Sequence, residues 1–256
     1  MTFVYVKQAF DAYKRNFTQV IAAMLIPMLV VLGLIVIAMA PLGFTVLNSI
    51  MKGTVDADAL VSLLLQSTTS LIFAGVFFVI AMIAGVALSV GITKVYADAL
   101  RGKANYRAMF PIAREKWQSA VGASVVIMLV FIASVLVTGL IAAANALLGT
   151  VLLTVVIVYL IASFAYINVS IAVSNLKAVD AVKNSVNFTK QNFWPTIFLI
   201  AGFLIINTAL DYVPVVGSLI DFFILGPVFS LSLIALYLGR ISSRTKVKTR
   251  KKARKK

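Results

Sequence analysis

Apolar residues run along this chain in stretches long enough to cross a bilayer, near residues 18–40, 68–92, 118–143, 148–173, 194–212 and 216–239. A hydrocarbon core of about 30 Å takes about 20 helical residues at about 1.5 Å rise each. The pattern therefore predicts six spans. Residues 118–173 are nearly continuous in apolarity, interrupted only by Asn145, Gly149 and Thr150. That run is too long for one crossing and right for two joined by a tight turn. Alternation with a period of two is missing, and lipid cannot satisfy an open sheet edge. The predicted class is all-α and polytopic. Lys7, Lys14 and Arg15 precede the first stretch, as in a secretory signal, but the apolar run exceeds the usual core of about 7–15 residues. Pro41 directly after Ala38 and Ala40 also opposes cleavage, so a retained span is expected.

The segments that lead into spans one, three and five have a helical period. The first sets Phe3, Val6, Phe10, Tyr13 and Phe17 on one stripe, with Lys7, Asp11, Lys14 and Arg15 off it. The second sets Tyr106, Met109, Phe110, Ala113 and Trp117 against Arg107, Arg114 and Lys116. In the third, Leu176, Val179, Val182, Val186 and Phe193 oppose Lys177, Asp180, Lys183, Asn187 and Lys190. Three interfacial amphipathic helices are expected, apolar side in the acyl boundary. Each closes on a basic residue, then Asn or Lys, then an aromatic: Lys14, Asn16, Phe17; Arg114, Lys116, Trp117; Lys190, Asn192, Phe193. The aromatic belongs at headgroup depth with the cation just outside it, which anchors the start of the span. This recurrence predicts a parallel three-fold internal repeat, with units at about 1–93, 103–173 and 174–241 of a transmembrane domain covering 1–243. A unit of two spans returns to its starting side, so the units would share orientation, unlike inverted transporter repeats.

Composition removes the soluble alternative. The chain has 256 residues, 62% apolar and 12% charged, with mean hydropathy +1.05. Soluble domains carry about 25% charge, and this chain has too little polar surface to cover itself in water. Charge then sets orientation. With both termini cytoplasmic, 22 of the 23 Lys and Arg lie inside and only Lys52 lies outside. The expected location is the cell (inner) membrane, with an anionic-headgroup bilayer as the first partner. In the outer loop 41–67, Asp56 and Asp58 are expected to cap a short helix over Ala59–Leu65.

Candidate chemistry is sparse. Neither Cys nor His occurs, which removes thiolate and imidazole catalysis and the common zinc and haem ligands, and no cofactor is expected. No ionisable residue falls at mid-span. Asn207 and Asp211 share a face of span five at i,i+4 and, with Asn145 and Asp221, form the one candidate polar site for a cation or solute. The competing reading makes Ser218–Asp221 a capping box for span six and Asp211–Pro214 a turn. Hydroxyls such as Ser134, Thr138, Thr154, Ser163 and Tyr166, with Asn168, read as packing glue, and Ala81, Gly85, Ser89 and Gly139, Ala143 as close-contact rows. Pro27 and Gly226-Pro227 are expected to bend their helices. The tail 244–256 carries Arg244, Lys246, Lys248, Arg250, Lys251, Lys252, Arg254, Lys255 and Lys256 without an acid. It is expected to be disordered alone and to contact anionic lipid, or RNA and the ribosome, through charge.

Two runs carry a family resemblance: Ala9-Phe10-Asp11-Ala12-Tyr13-Lys14-Arg15-Asn16-Phe17, and Ala178 to Trp194 (AVDAVKNSVNFTKQNFW) followed by a hairpin and a basic exit. The chain resembles uncharacterised six-span prokaryotic membrane proteins of the YciC type and the membrane domain of some glycerophosphodiester phosphodiesterases. The fourth span departs from many of these, since Ile157–Val173 holds no Pro-Gly pair. The resemblance implies a six-span architecture, no settled activity and no catalytic residues. The expected function is a non-enzymatic scaffold or accessory subunit in envelope or lipid homeostasis, its role defined by membrane protein partners rather than by its own side chains. The alternatives are a transporter or channel-like protein for a small solute, and a membrane-insertion factor with a ribosome-binding tail.

Overall fold

A computed structural model describes residues 2–51, 68–213 and 215–253. Helix α1 (Thr2–Arg15) leads into α2 (Phe17–Met51), followed by α3 (Thr68–Leu100), a 3-10 turn (Tyr106–Ala108) and α4 (Met109–Ala144). Then come α5 (Ala146–Phe164), α6 (Ile167–Ala172), α7 (Ala178–Gln191), α8 (Phe193–Asp211), α9 (Val216–Ile220), a π-helical turn (Asp221–Leu225) and α10 (Gly226–Ala253). No strand occurs among the described residues. Six stretches are long and apolar enough to cross a bilayer: Phe17–Pro41, Thr68–Leu100, Tyr106–Ala144, Ala146–Ala172, Phe193–Asp211 and Val216–Ile241. The chain is an all-α, multi-pass integral membrane protein. The expected cap at Asp56 and Asp58 and the helix over Ala59–Leu65 lie outside the described residues, as does Lys52.

Helix α2 packs along α3, α3 along α4 and α4 along α5, while α1 lies against α10 and α7 is seated on α4, α5 and α6. The packed core gathers at the end of the bundle where α1 and α7 sit. Val20, Val95, Tyr96, Met109, Tyr166, Phe188, Leu231 and Tyr237 form its centre. At the opposite end the spans show their sides to lipid, as Leu136, Leu140, Leu147 and Val151 do around the turn between α4 and α5.

Only two of the three expected interfacial helices are separate elements. At Asn16 and Asn192 the helix breaks in the same way. Each backbone N–H reaches two carbonyls, Ala12 (3.0 Å) with Tyr13 (3.2 Å), and Phe188 (3.0 Å) with Thr189 (3.0 Å). Each side-chain Nδ2 donates to the carbonyl four residues back, at 3.0 Å on Ala12 and 2.9 Å on Phe188. Asn16 Nδ2 also reaches the Ala99 carbonyl at 3.2 Å, tying α1 to the end of α3. The second junction has Lys116 in this place, and α4 runs through it unbroken. A lysine cannot supply the short amide that fills the broken turn.

Much of the apolar stripe on the two separate helices is exposed or half-buried, as a face in the acyl boundary would be, while small and polar residues turn inward. On α1, Ala9, Ala12 and Tyr13 are buried while Phe3 and Phe10, with Phe17 at the start of α2, are exposed, so Tyr13 is the stripe residue that turns inward. On α7, Ala181, Ser185, Phe188 and Thr189 turn inward and Val179 is exposed. Two boundaries also move. Helix α2 continues past Pro41 to Met51. The backbone of α10 stays helical to Ala253, where a disordered tail was expected; Lys and Arg are good helix formers and suit the negative end of the dipole. Span six opens at Val216, its predicted limit, but with Val215 as its cap and no side-chain capping bond, so the Ser218–Asp221 capping box is not formed. The turn after Asp211 does form, with Val213 N–H on the Leu210 carbonyl at 2.9 Å.

Pro227 removes one helical donor, and the consequence is visible two elements away. The carbonyl it leaves without a partner is that of Phe223, four residues back, which accepts from the Tyr13 hydroxyl at 2.6 Å. Gly226 N–H bonds five residues back to Asp221, which widens the turn into its π form. Burial pushes the Tyr13 phenol above its ordinary value, so it remains protonated and a donor at neutral pH. Tyr13→Phe is expected to cost about 1–3 kcal/mol, read as an earlier midpoint in SDS-induced unfolding, because the Phe223 carbonyl loses its partner.

Candidate functional site

The fourth crossing is divided between α5 and α6 at Ala165 and Tyr166, without a proline or glycine. The turn-closing bond from Tyr166 N–H to the Ala162 carbonyl is open, and both partners are recovered by α7. Tyr166 N–H donates to Ser185 Oγ at 3.1 Å, and Thr189 Oγ1 donates to the Ala162 carbonyl at 2.8 Å. Ser185 Oγ in turn donates to the Ser163 carbonyl at 2.6 Å. Two hydroxyls one turn apart on α7 thus stand in for the missing helical bonds, which is how a broken helix survives where water is absent. Ser163 Oγ is buried and has no hydrogen-bond partner.

A second set of polar contacts extends from this break to span six. Thr196 Oγ1 donates to the Asn192 carbonyl at 2.9 Å, so its contact with Tyr166 at 2.8 Å uses the tyrosine as donor. Asn184 Nδ2 donates to Ser170 Oγ at 2.9 Å and to the Tyr237 hydroxyl at 2.8 Å, and Ser174 Oγ meets that hydroxyl at 2.9 Å. The rings of Tyr166, Phe188 and Tyr237 pack together, with Phe188 4.6 Å from Tyr166 and 4.8 Å from Tyr237. Nothing in this network carries a formal charge. It holds α5, α6, α7 and α10 in one arrangement, and it contains no nucleophile–base pair.

The four residues read as a polar site separate. Asn145 caps α5 and accepts from Leu148 N–H at 3.0 Å. Asp211 ends α8 and is exposed. Asn207 and Asp221 share the wall of one cavity of about 220 Å³ between α5, α8 and the π turn, with Phe203, Phe229, Ile161 and Leu225. Among the anchors, Lys14 Nζ lies 4.4 Å from the centre of the Phe10 ring, Trp117 is exposed to the surroundings, and Phe193 is half-buried with its ring 5.7 Å from that of Trp194. The side chains of the basic tail, from Arg244 on, lie outside the described residues. No group of three or more carboxylates that would hold a metal ion occurs among the described residues.

No family model, curated protein or solved structure matches this chain.

The hydroxyls read as glue divide into two kinds. Ser134, Thr138 and Thr154 donate to carbonyls of their own helix, at 2.7, 2.8 and 2.9 Å. Asn168 instead bridges spans, donating to Ser89 Oγ at 3.2 Å. Of the small-residue rows, a Cβ added at Gly85 would lie 3.7 Å from Val31 Cγ2 of span one, whereas one added at Gly139 would meet nothing within 4 Å. The tight approach in the α4–α5 hairpin is at Gly149, where an added Cβ would fall on Ala142. Sequence reading missed Ser170, Ser174, Asn184, Ser185, Thr189, Thr196 and Tyr237. The available signal was the polar face Asn184, Ser185, Thr189 on an amphipathic helix, which reads equally as a face turned to water.

A second cavity opens beside α1 at the cation-rich end. Gln8, Asp11 and Arg15 from α1, Leu100 and Arg101 after α3, and Ala235 and Leu238 of α10 enclose about 650 Å³. Its wall carries more polar and charged side chains than that of the Asn207–Asp221 cavity. Asp11, Arg15 and Arg101 form no ion pair with one another.

Proposed function

We propose that this chain is a non-enzymatic scaffold or accessory subunit of envelope or lipid homeostasis, in the inner membrane with both termini cytoplasmic. The observation that carries the reading is the uneven distribution of packing. The ordered core, the neutral polar network and the polar groove of Gln8, Asp11, Arg15 and Arg101 share the end that holds the basic segments. A rigid end presented at a charged leaflet, with lipid-exposed spans beyond it, suits a protein that holds lipids or membrane partners. The polar network supports the same reading, because its hydroxyls and amides are used within the protein.

The transporter alternative retains one supporting observation, the shared cavity of Asn207 and Asp221. Full-length chain in proteoliposomes is expected to pass no more small solute or ion than empty vesicles. Flux that Asp221→Asn or Asn207→Ala abolishes would establish transport and remove the scaffold reading. The insertion-factor alternative has its own outcome, ribosome co-purification that ends on deletion of 244–256.

A further inference from the structure

The capping box read from the sequence gave Asp221 a purpose, and the fold takes that purpose away. Val215 caps the helix, and Asp221 lies a turn and a half farther along it, at the start of the π turn. Its backbone carbonyl is used by Gly226 N–H, but its carboxylate makes no ion pair and no hydrogen bond within the described protein. Asn207, the other polar residue on the same cavity wall, also has no hydrogen bond from its side chain. Asn207 lies four residues before the exposed Asp211 that ends α8, so the cavity sits near that end of the hairpin, half-buried and lined mainly by apolar side chains. An unpaired carboxylate and an unpaired amide in apolar surroundings each carry a desolvation penalty that a partner would relieve.

We propose that the Asn207–Asp221 cavity binds a primary ammonium group. The carboxylate supplies the compensating charge, and its oxygens and the Asn207 Oδ1 accept N–H bonds. The Phe203 and Phe229 rings, 4.9 Å apart, line the same cavity and offer π faces to a cation. A bare calcium ion takes 6–8 oxygen ligands at about 2.3–2.6 Å, and two side chains with three oxygens fall well short of that. A neutral alcohol would leave the charge of Asp221 uncompensated. The volume, about 220 Å³, exceeds the roughly 30 Å³ share of one water several times and admits a short aminoalkyl group. That group belongs either to a phosphatidylethanolamine headgroup or to a free amine. The proposal goes beyond the scaffold reading and stands or falls separately: solute flux would remove the scaffold role while leaving the ammonium site intact.

The test uses the full-length chain in vesicles of equal phosphatidylethanolamine, phosphatidylcholine and phosphatidylglycerol, with retained lipid counted by native mass spectrometry. Phosphatidylethanolamine is expected to be retained about tenfold over phosphatidylcholine, which has no N–H to donate. Asp221→Asn is expected to abolish the preference and Asp221→Glu to keep it, which separates loss of charge from loss of fold. Displacement of the lipid by n-butylammonium, but not by n-butanol, would assign the site to free amines as well. Retention unmoved by n-butylammonium would assign it to the lipid alone. Equal retention of the three lipids with no stabilisation by n-butylammonium would overturn the proposal, as would a preference that survives Asp221→Asn.

Discussion

Ser185→Ala is expected to destabilise the fold by about 3 kcal/mol, although it deletes a single oxygen. That oxygen serves two backbone groups at once, accepting from Tyr166 N–H and donating to the Ser163 carbonyl. Without it, a donor and an acceptor are left unpaired in a fully buried position, and each such group costs about 1–3 kcal/mol. Reversible SDS titration of the purified protein measures the loss. Ser134→Ala provides the contrast, because that hydroxyl only adds a bond to the Val130 carbonyl of its own helix. The midpoint for Ser134→Ala is expected within about 0.5 kcal/mol of the parent. If both variants behaved alike, α7 would not be holding the divided span.

Gly91→Ala has a comparably large expected effect for the opposite reason, since it adds an atom where none fits. A Cβ on Gly91 would fall on the Met109 carbonyl oxygen, with the Met109 carbonyl carbon and Cβ each 3.0 Å away. The first two are backbone atoms and cannot swing aside. Relief requires α3 and α4 to move apart at the centre of the core, where Met109 is fully buried. Overpacking of this kind typically costs about 1–3 kcal/mol, and the rigid contact places Gly91→Ala near the upper end. Gly85→Ala, six residues earlier on the same helix, meets only Val31 Cγ2 at 3.7 Å and is expected to be tolerated. Equal midpoints for the two variants would mean that α3 and α4 do not approach so closely.

The spans were legible because length and apolarity answer directly to bilayer thickness: Thr68, Asn145 and Val216 fall at or within two residues of the predicted limits. The lipid-facing stripes of α1 and α7 were legible, but the faces that pack on protein were less so. In water, an apolar stripe identifies the side that packs on protein, but lipid is as apolar as leucine and competes for that side. Hence the small and polar residues Ala181, Ser185 and Thr189 of α7 face inward while Val179 faces out. The division at Tyr166 was hidden for a related reason. Its cause is a pair of hydroxyls 19 and 23 residues farther along, and no local breaker marks it. The i,i+4 relation of Asn207 and Asp211 was readable from helix geometry, but the residue that meets Asn207 across the hairpin depends on where α9 begins. Val215 at φ 65° sets that start, a conformation rare for a β-branched residue and not foreseeable from its neighbours.

Helices α3 and α4, with 33 and 36 residues, measure roughly 50 and 54 Å end to end. A hydrocarbon slab of about 30 Å cannot contain them, so each must project well into the headgroups or past them. The tightly interlocked portion then sits as a plinth at the water boundary, supported on legs that only acyl chains surround. Thinner or thicker lipids would splay or draw in the legs while the plinth kept its shape, so a binding partner docked there would register little of the change below.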